Sequence, residues 1–140
     1  MEHKQLLTVF NSLPVGIGFF TADGTLVRCN ESFCRIFGAD SQTLLGNKLN
    51  INENSVVPDV VKEAVRRCVP VQMSFLYDFD KQRTDKRFFS TRTRTCYLKC
   101  NGNPLYDNDG KFVNYIFIFE DITETVKSEE VLRQSRRKTR

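Results

Sequence analysis

The run Phe112-Val113-Asn114-Tyr115-Ile116-Phe117-Ile118-Phe119 constrains this chain more than any other stretch. It is β-branched and aromatic almost throughout, and such a run suits a strand covered on both faces rather than a one-sided edge strand. Asp109-Gly110 precedes it, a tight-turn dipeptide in which glycine takes a positive φ at no steric cost. Glu120-Asp121 ends it, and from Thr123 onward the residues are polar helix formers. A central strand therefore hands the chain directly to a helix at Asp121-Ile122-Thr123.

Taken from the start, residues 2–13 place Leu6, Leu7, Phe10 and Leu13 at helical spacing, and Pro14 closes this amphipathic helix. Val15 to Thr21 and Thr25 to Cys29 read as two strands around the Asp23-Gly24 turn. Gly16 and Gly18 inside the first strand imply that a helix or a ligand crosses there closely. Asn30 is an N-cap for a short helix with Phe33, Ile36 and Phe37 on one face, and Gly38 is its left-handed stop. A second short helix runs from Asp40-Ser41 to Leu45-Gly46, and residues 47–55 are weakly patterned. Pro58 then opens a clear helix as its first residue, with Val60, Val61, Ala64, Val65 and Cys68 repeating at three and four.

Val71, Met73, Phe75, Tyr77 and Phe79 alternate with Gln72, Ser74, Leu76 and Asp78, a half-buried strand. Residues 80–87 read as a charged, solvated loop. Phe88 to Asn103 returns as one or two strands with a turn near residues 92–95, where Arg92 and Arg94 read as solvent-exposed. Asn103-Pro104-Leu105 leads into the Asp-Gly turn. The leading hairpin has to join the later strands in one antiparallel sheet, since a hairpin alone is marginal. Helices on one face complete an α+β layout.

Composition excludes several function classes. At 140 residues the chain is one domain. Twelve Phe and no Trp imply an aromatic core, or an aromatic-lined pocket. The net charge of +4 is located in Arg133, Arg136, Arg137, Lys138 and Arg140, so the body is near neutral and the tail reads as a solvated helix end. Residues 2–5 and the absence of an apolar stretch of spanning length point to a cytoplasmic chain without a leader or membrane contact. The five cysteines contain no Cys-x-x-Cys. Cys96 and Cys100 stand about 13 Å apart on one strand, too far for a disulfide or a shared metal, and reduced, buried thiols are expected. With His3 the sole histidine, no Ser/His/Asp or Cys/His set is possible. Asp107-x-Asp109-Gly110 lacks the acids a calcium loop needs where Leu105 and Ile116 stand. No catalytic residue and no metal ligand is expected.

In this order the chain resembles a PAS (sensory box) domain over about residues 5–126. The residues that carry the resemblance are Asp23-Gly24 with Val27 and Asn30, then Phe33, Phe37-Gly38 and Leu44-Leu45-Gly46. Asn103-Pro104-Leu105-Tyr106-Asp107 with Asp109-Gly110, and Asp121-Ile122-Thr123 followed by Glu124 and Glu129-Glu130-x-Leu132, complete it. Residues 80–87 look like a longer connection than usual. The resemblance implies a five-stranded antiparallel sheet in the order 2-1-5-4-3, with short helices on one face enclosing a pocket. It divides the chain into a flanking helix over residues 1–14, the domain over 15–123, and a linker helix over 124–140 toward an output domain. It further implies a sensory or interaction module of a signal-transduction protein, as in the histidine kinases of two-component phosphorelays. The family's flavin photochemistry needs an Asn-Cys-Arg stretch, and Leu45 to Ser55 has no cysteine. Its haem members need an axial histidine, and Pro58 to Cys68 has none. No cofactor is expected, and Cys68 reads as a small core residue.

The aromatic residues Phe19, Phe33, Phe37, Tyr97 and Phe117 read first as core, each buried ring stabilising by about 1.5–3 kcal/mol. The alternative is a pocket for a small apolar ligand, lined by these residues with Ile17, Ile36, Leu49, Val61, Val65 and Phe75. Asp121 and Thr123 can bond local backbone N–H groups and fix the helix exit, and the resemblance makes them the signal junction. Ile116 and Ile118 lie opposite Tyr115, Phe117 and Phe119, while one helix layer covers one face only. The other face is expected to take residues 2–13, a partner subunit in a homodimer, or both. Residues 124–140 hold about two heptads around Val126 and Leu132, too few for a stable coiled coil. Two rival readings stand beside this one: a small-molecule-binding protein or enzyme on a similar sheet, and a nucleic-acid binder using the basic tail.

Overall fold

A computed structural model of the chain describes residues 2–83 and 90–138. Helix α1 (His3–Ser12) precedes a hairpin of β1 (Gly16–Phe20) and β2 (Leu26–Cys29). The short helices α2 (Glu31–Phe37) and α3 (Ser41–Gly46), a 3-10 turn (Ile51–Glu53) and α4 (Asp59–Arg67) follow. Then come β3 (Val71–Asp78), α5 (Phe79–Gln82), β4 (Thr95–Tyr106), β5 (Phe112–Asp121) and α6 (Thr123–Lys138). The strands form one antiparallel sheet in the order β2-β1-β5-β4-β3, the topology that the resemblance implies.

The apolar run is the central strand, with β1 on one side and β4 on the other. Tyr115, Phe117 and Phe119 point into the core, while Ile116 and Ile118 face the opposite side. On the core side, α2 lies directly across β1: a Cβ on Gly16 would stand 2.9 Å from Phe33 Cα. A helix therefore crosses the two glycines. The Phe33 ring then stacks among Phe20, Phe37 and Phe119, with centroids 6.5, 4.6 and 5.9 Å away.

Asn30 joins the helix layer to what precedes it. Its Oδ1 accepts from the N–H of Phe33 at 3.0 Å and of Ile17 at 2.9 Å. Its Nδ2 donates to the carbonyls of Phe10 and Val15, both at 3.0 Å. One buried amide thus caps α2, aligns β1 and anchors the end of α1. Helix α1 rests on the outer face of the hairpin, with Phe10 5.9 Å from Phe19, and leaves Leu6, Leu7 and Val9 exposed.

Several expectations need correction. Pro58 is the N-cap of α4 and not its first residue, because its ψ of 147° is extended. Val60 is exposed, and Cys68 is a left-handed C-cap rather than part of the buried face. Phe79 is buried in the first turn of α5 rather than at the end of β3, since Asp78 caps a helical turn there by accepting from the N–H groups of Asp80 and Lys81. The solvated loop expected from residue 80 therefore begins as helix; residues 84–87, and the start of the next strand at Phe88, lie outside the described residues. Asn103-Pro104-Leu105 belong to β4 and not to a lead-in. β3 ends its pairing at Gly102, so Pro104 sits where its missing N–H costs no ladder bond. Helix α6 runs sixteen residues, and beyond Val126 its side chains are exposed through Arg137.

Candidate functional site

Two features stand out, an apolar cavity in the helix layer and a polar junction at the end of β5. The cavity has a volume of about 30 Å³. Phe20, Phe33, Phe37, Tyr77 and Phe119 form most of its wall, with Leu49, Ile51 and Val57 opposite. Its polar edge is Asn54, whose Nδ2 donates to the Tyr77 hydroxyl at 2.8 Å, beside Asn50. A water needs roughly 10–15 Å³ and a drug-sized ligand several hundred. With its walls as they stand, the space is the size of a few waters or a very small molecule.

Of the residues expected to line a pocket, Phe33, Phe37 and Leu49 do so. Ile36, Val61, Val65 and Phe117 lie in the surrounding core cluster, and Phe75 packs against its edge. Ile17 and Phe19 are on the other face of the sheet, because Gly16, Gly18 and Phe20 take the inward positions of β1. Tyr97 is likewise outward and 39% exposed, while its neighbours Cys96 and Leu98 are buried. The inward residues Phe20, Tyr77 and Phe119, and the Asn50 to Val57 segment, were not expected. Strand parity could have given Tyr77 and Phe119, which alternate with polar or outward residues.

At the junction, Asp121 Oδ1 accepts from the Thr123 N–H at 3.0 Å and from the Thr123 hydroxyl at 2.5 Å. Thr123 Oγ1 in turn accepts from the Tyr97 N–H at 3.0 Å, and the Ile122 N–H donates to the Tyr97 carbonyl at 2.9 Å. The first turn of α6 is thereby fastened to β4 as well as capped. Burial raises the Asp121 carboxyl, but the bonds from Thr123 and the Arg92 guanidinium outweigh it and hold the group below its ordinary value.

Arg92 was expected in solvent, and the structure overturns that. Its Nη2 lies 3.2 Å from Asp121 Oδ2, and its Nη1 donates to the Ile36 carbonyl at 2.9 Å. Its guanidinium carbon stands 4.7 Å from the centre of the Phe79 ring, an arrangement that favours a cation. The segment carrying it is docked on α2, where the Thr91 N–H donates to the Gly38 carbonyl at 2.7 Å. Arg92 thus links the last turn of α2 to the start of α6. α2 and β5, the strand that runs into α6, both reach the cavity, through Phe37 and Phe119, whose rings meet edge to face at 5.2 Å.

The family model described as PAS fold matches residues 10–127. Among solved structures, the chain is similar to an RNA-binding light-oxygen-voltage receptor, with a TM-score of 0.70 and 18% identity over 94% of this chain and 36% of that one. The chain thus spans little more than a third of that receptor. It is similar to the PAS domain of a protein from Colwellia psychrerythraea, with a TM-score of 0.64 and 16% identity over 86% of this chain and 97% of that one. It is also similar to a domain of a sensory box sensor histidine kinase/response regulator from Geobacter sulfurreducens, with a TM-score of 0.56 and 14% identity over 84% and 92%. At these identities the likeness is one of fold. No curated protein matches the chain significantly in sequence.

Proposed function

The chain belongs to the PAS-fold family, and from that premise we propose that it is the sensory and interaction module of a signal-transduction protein, with a histidine kinase as the output. A change at the cavity moves Phe37 and Phe119, and the Arg92 bridge carries that movement to the Asp121-Ile122-Thr123 junction and α6. The observation that carries this reading is the double engagement of Arg92, with the Ile36 carbonyl on one side and Asp121 on the other. The test is the output activity of the full-length parent carrying Arg92→Gln or Asp121→Ala. Loss of regulation in a protein whose domain stays folded is expected; wild-type regulation in both variants would sink the route.

The reading includes no bound haem or flavin, supported by a cavity of about 30 Å³. A stoichiometric visible absorption band in the purified chain would overturn that part. A small apolar ligand is compatible with the cavity. The module pairs with a second copy through α1 and the outer sheet face, supported by the exposure of Leu6, Leu7, Val9 and Ile118. A monomer in sedimentation at high concentration would refute the pairing. The enzyme alternative is weaker, since the polar groups at the cavity are amides and a phenol rather than an acid and a base. The nucleic-acid alternative rests on the exposed end of α6 alone. No helix among the described residues is long and apolar enough to cross a membrane.

A further inference from the structure

The entry to α2 is fastened by two thiols. Cys29 ends β2 just before the Asn30 cap, and Cys34 lies one turn into α2. These are the two positions at which an apolar pair commonly fixes the angle of a chain entering a helix. Here both members are cysteine, with their Sγ atoms 3.9 Å apart. Both are half-buried, and they border an open surface groove with Asn11, Glu31, Arg35 and Asp40. The other cysteines differ: Cys96 and Cys100 are buried in β4, and Cys68 stands beside the Tyr106 hydroxyl at 3.8 Å.

We propose that Cys29 and Cys34 form a dithiol site that small disulfides of the glutathione class convert to an intramolecular disulfide. One protein thiolate attacks the small disulfide, forming a mixed disulfide and releasing one small thiol. The second protein thiolate then attacks the protein sulfur of that mixed disulfide and releases the other. The two cysteines lose two electrons, the small disulfide gains them, and the two cysteine protons leave on the two released thiols. The sulfurs must close from 3.9 Å to about 2.0 Å, a movement that calls for side-chain rotation across the helix entry.

Burial pushes the Cys29 thiol up to about 12 and raises Cys34 as well. Exchange proceeds through thiolate, so the pair answers a sustained oxidising poise rather than a brief exposure. The new bond joins β2 to α2 across the Asn30 cap, two residues before Ile36, whose carbonyl Arg92 holds. The chemistry stands independently of the sensory reading.

The experiment incubates the reduced full chain with glutathione disulfide, alkylates the remaining thiols after unfolding, and digests with trypsin. Arg28 and Arg35 bound a peptide, residues 29–35, that carries both cysteines. The expected result is that this peptide is unalkylated and lighter by two hydrogens, with Cys96 and Cys100 still alkylated. In Cys29→Ser, Cys34 retains a glutathione adduct, because the resolving thiol is gone. Three outcomes overturn the proposal: a lasting glutathione adduct on the wild-type peptide, a disulfide between chains through these cysteines, or a fully alkylated peptide at concentrations that modify Cys68.

Discussion

Arg92 Nη2 stands 3.2 Å from Asp121 Oδ2, and the two side chains are 32% and 29% exposed. An ion pair of that exposure is partly screened by solvent, yet each member has a second partner that fixes its position. For Arg92 it is the Ile36 carbonyl, and for Asp121 it is Thr123. The pair is therefore held in one geometry without depending on its own attraction.

Arg92→Ala is expected to destabilise the domain by about 1–2 kcal/mol, since it removes the bond to Ile36 as well as the ion pair. A double-mutant cycle with Asp121→Asn is expected to isolate a coupling of about 0.5–1 kcal/mol for the pair itself. Urea unfolding of the four proteins measures both. A coupling indistinguishable from zero removes the ion pair from the account of the junction.

Acidification tests the same carboxylate. The folded state holds Asp121 below its ordinary value, so the stability it contributes is present above the unfolded value, about 3.9. That stability is lost as the pH falls through the folded value. The difference between wild type and Asp121→Asn should be flat from neutral pH down to about 5 and shrink below about 4. A difference that grows on acidification contradicts the assignment.

Asn30 separates two roles. Asn30→Asp keeps the acceptor that caps α2 and aligns Ile17 but loses both donors to Phe10 and Val15. Hydrogen exchange should therefore quicken over α1 and leave α2 protected. Asn30→Ala loses all four bonds and should cost about 3 kcal/mol, more than an exposed cap. Equal loosening of α1 and α2 in Asn30→Asp would show that the two are not separately held.

Gly102 pairs with Phe117 across the sheet, and a Cβ there would stand 2.6 Å from the Phe117 ring and 2.8 Å from that of Tyr115. Both rings are fully buried. Gly102→Ala should destabilise by about 1–3 kcal/mol through overpacking, read as a lower urea midpoint at unchanged slope. A neutral substitution would mean that the rings shift at little cost.

Much of the fold was legible because its signals are local. The β5 run, the Asn30 cap, the Gly38 stop and the Asp109-Gly110 turn each act within a few residues of themselves. The parity of β1 was not legible, and that misplaced Ile17 and Phe19. The inward residues Gly16 and Gly18 have no side chain to reveal their direction, and the Phe19-Phe20 pair fits either face. Arg92 was illegible for a different reason: its partners Ile36 and Asp121 are far from it in sequence. An alternating Thr-Arg pattern carries no trace of a carbonyl brought to it by folding. The cavity was half legible, since the helical aromatics follow from spacing while the Asn50 to Val57 wall lacks a period.

Helix α6 runs sixteen residues and is fastened to β4 through its first turn, and beyond Val126 its side chains are exposed through Arg137. At the rise of an α-helix, that makes a lever arm of about 24 Å. A tilt of about 10° at Thr123 swings its far end by about 4 Å, close to the spacing between adjacent strands. The fastening has only a few hydrogen bonds, so the angle of the arm is set by the small number of atoms around Asp121, Thr123 and Tyr97. Rearrangements too slight to alter the packing of the core are thereby magnified at a distance, and the direction of the swing depends on which of those bonds lengthens first.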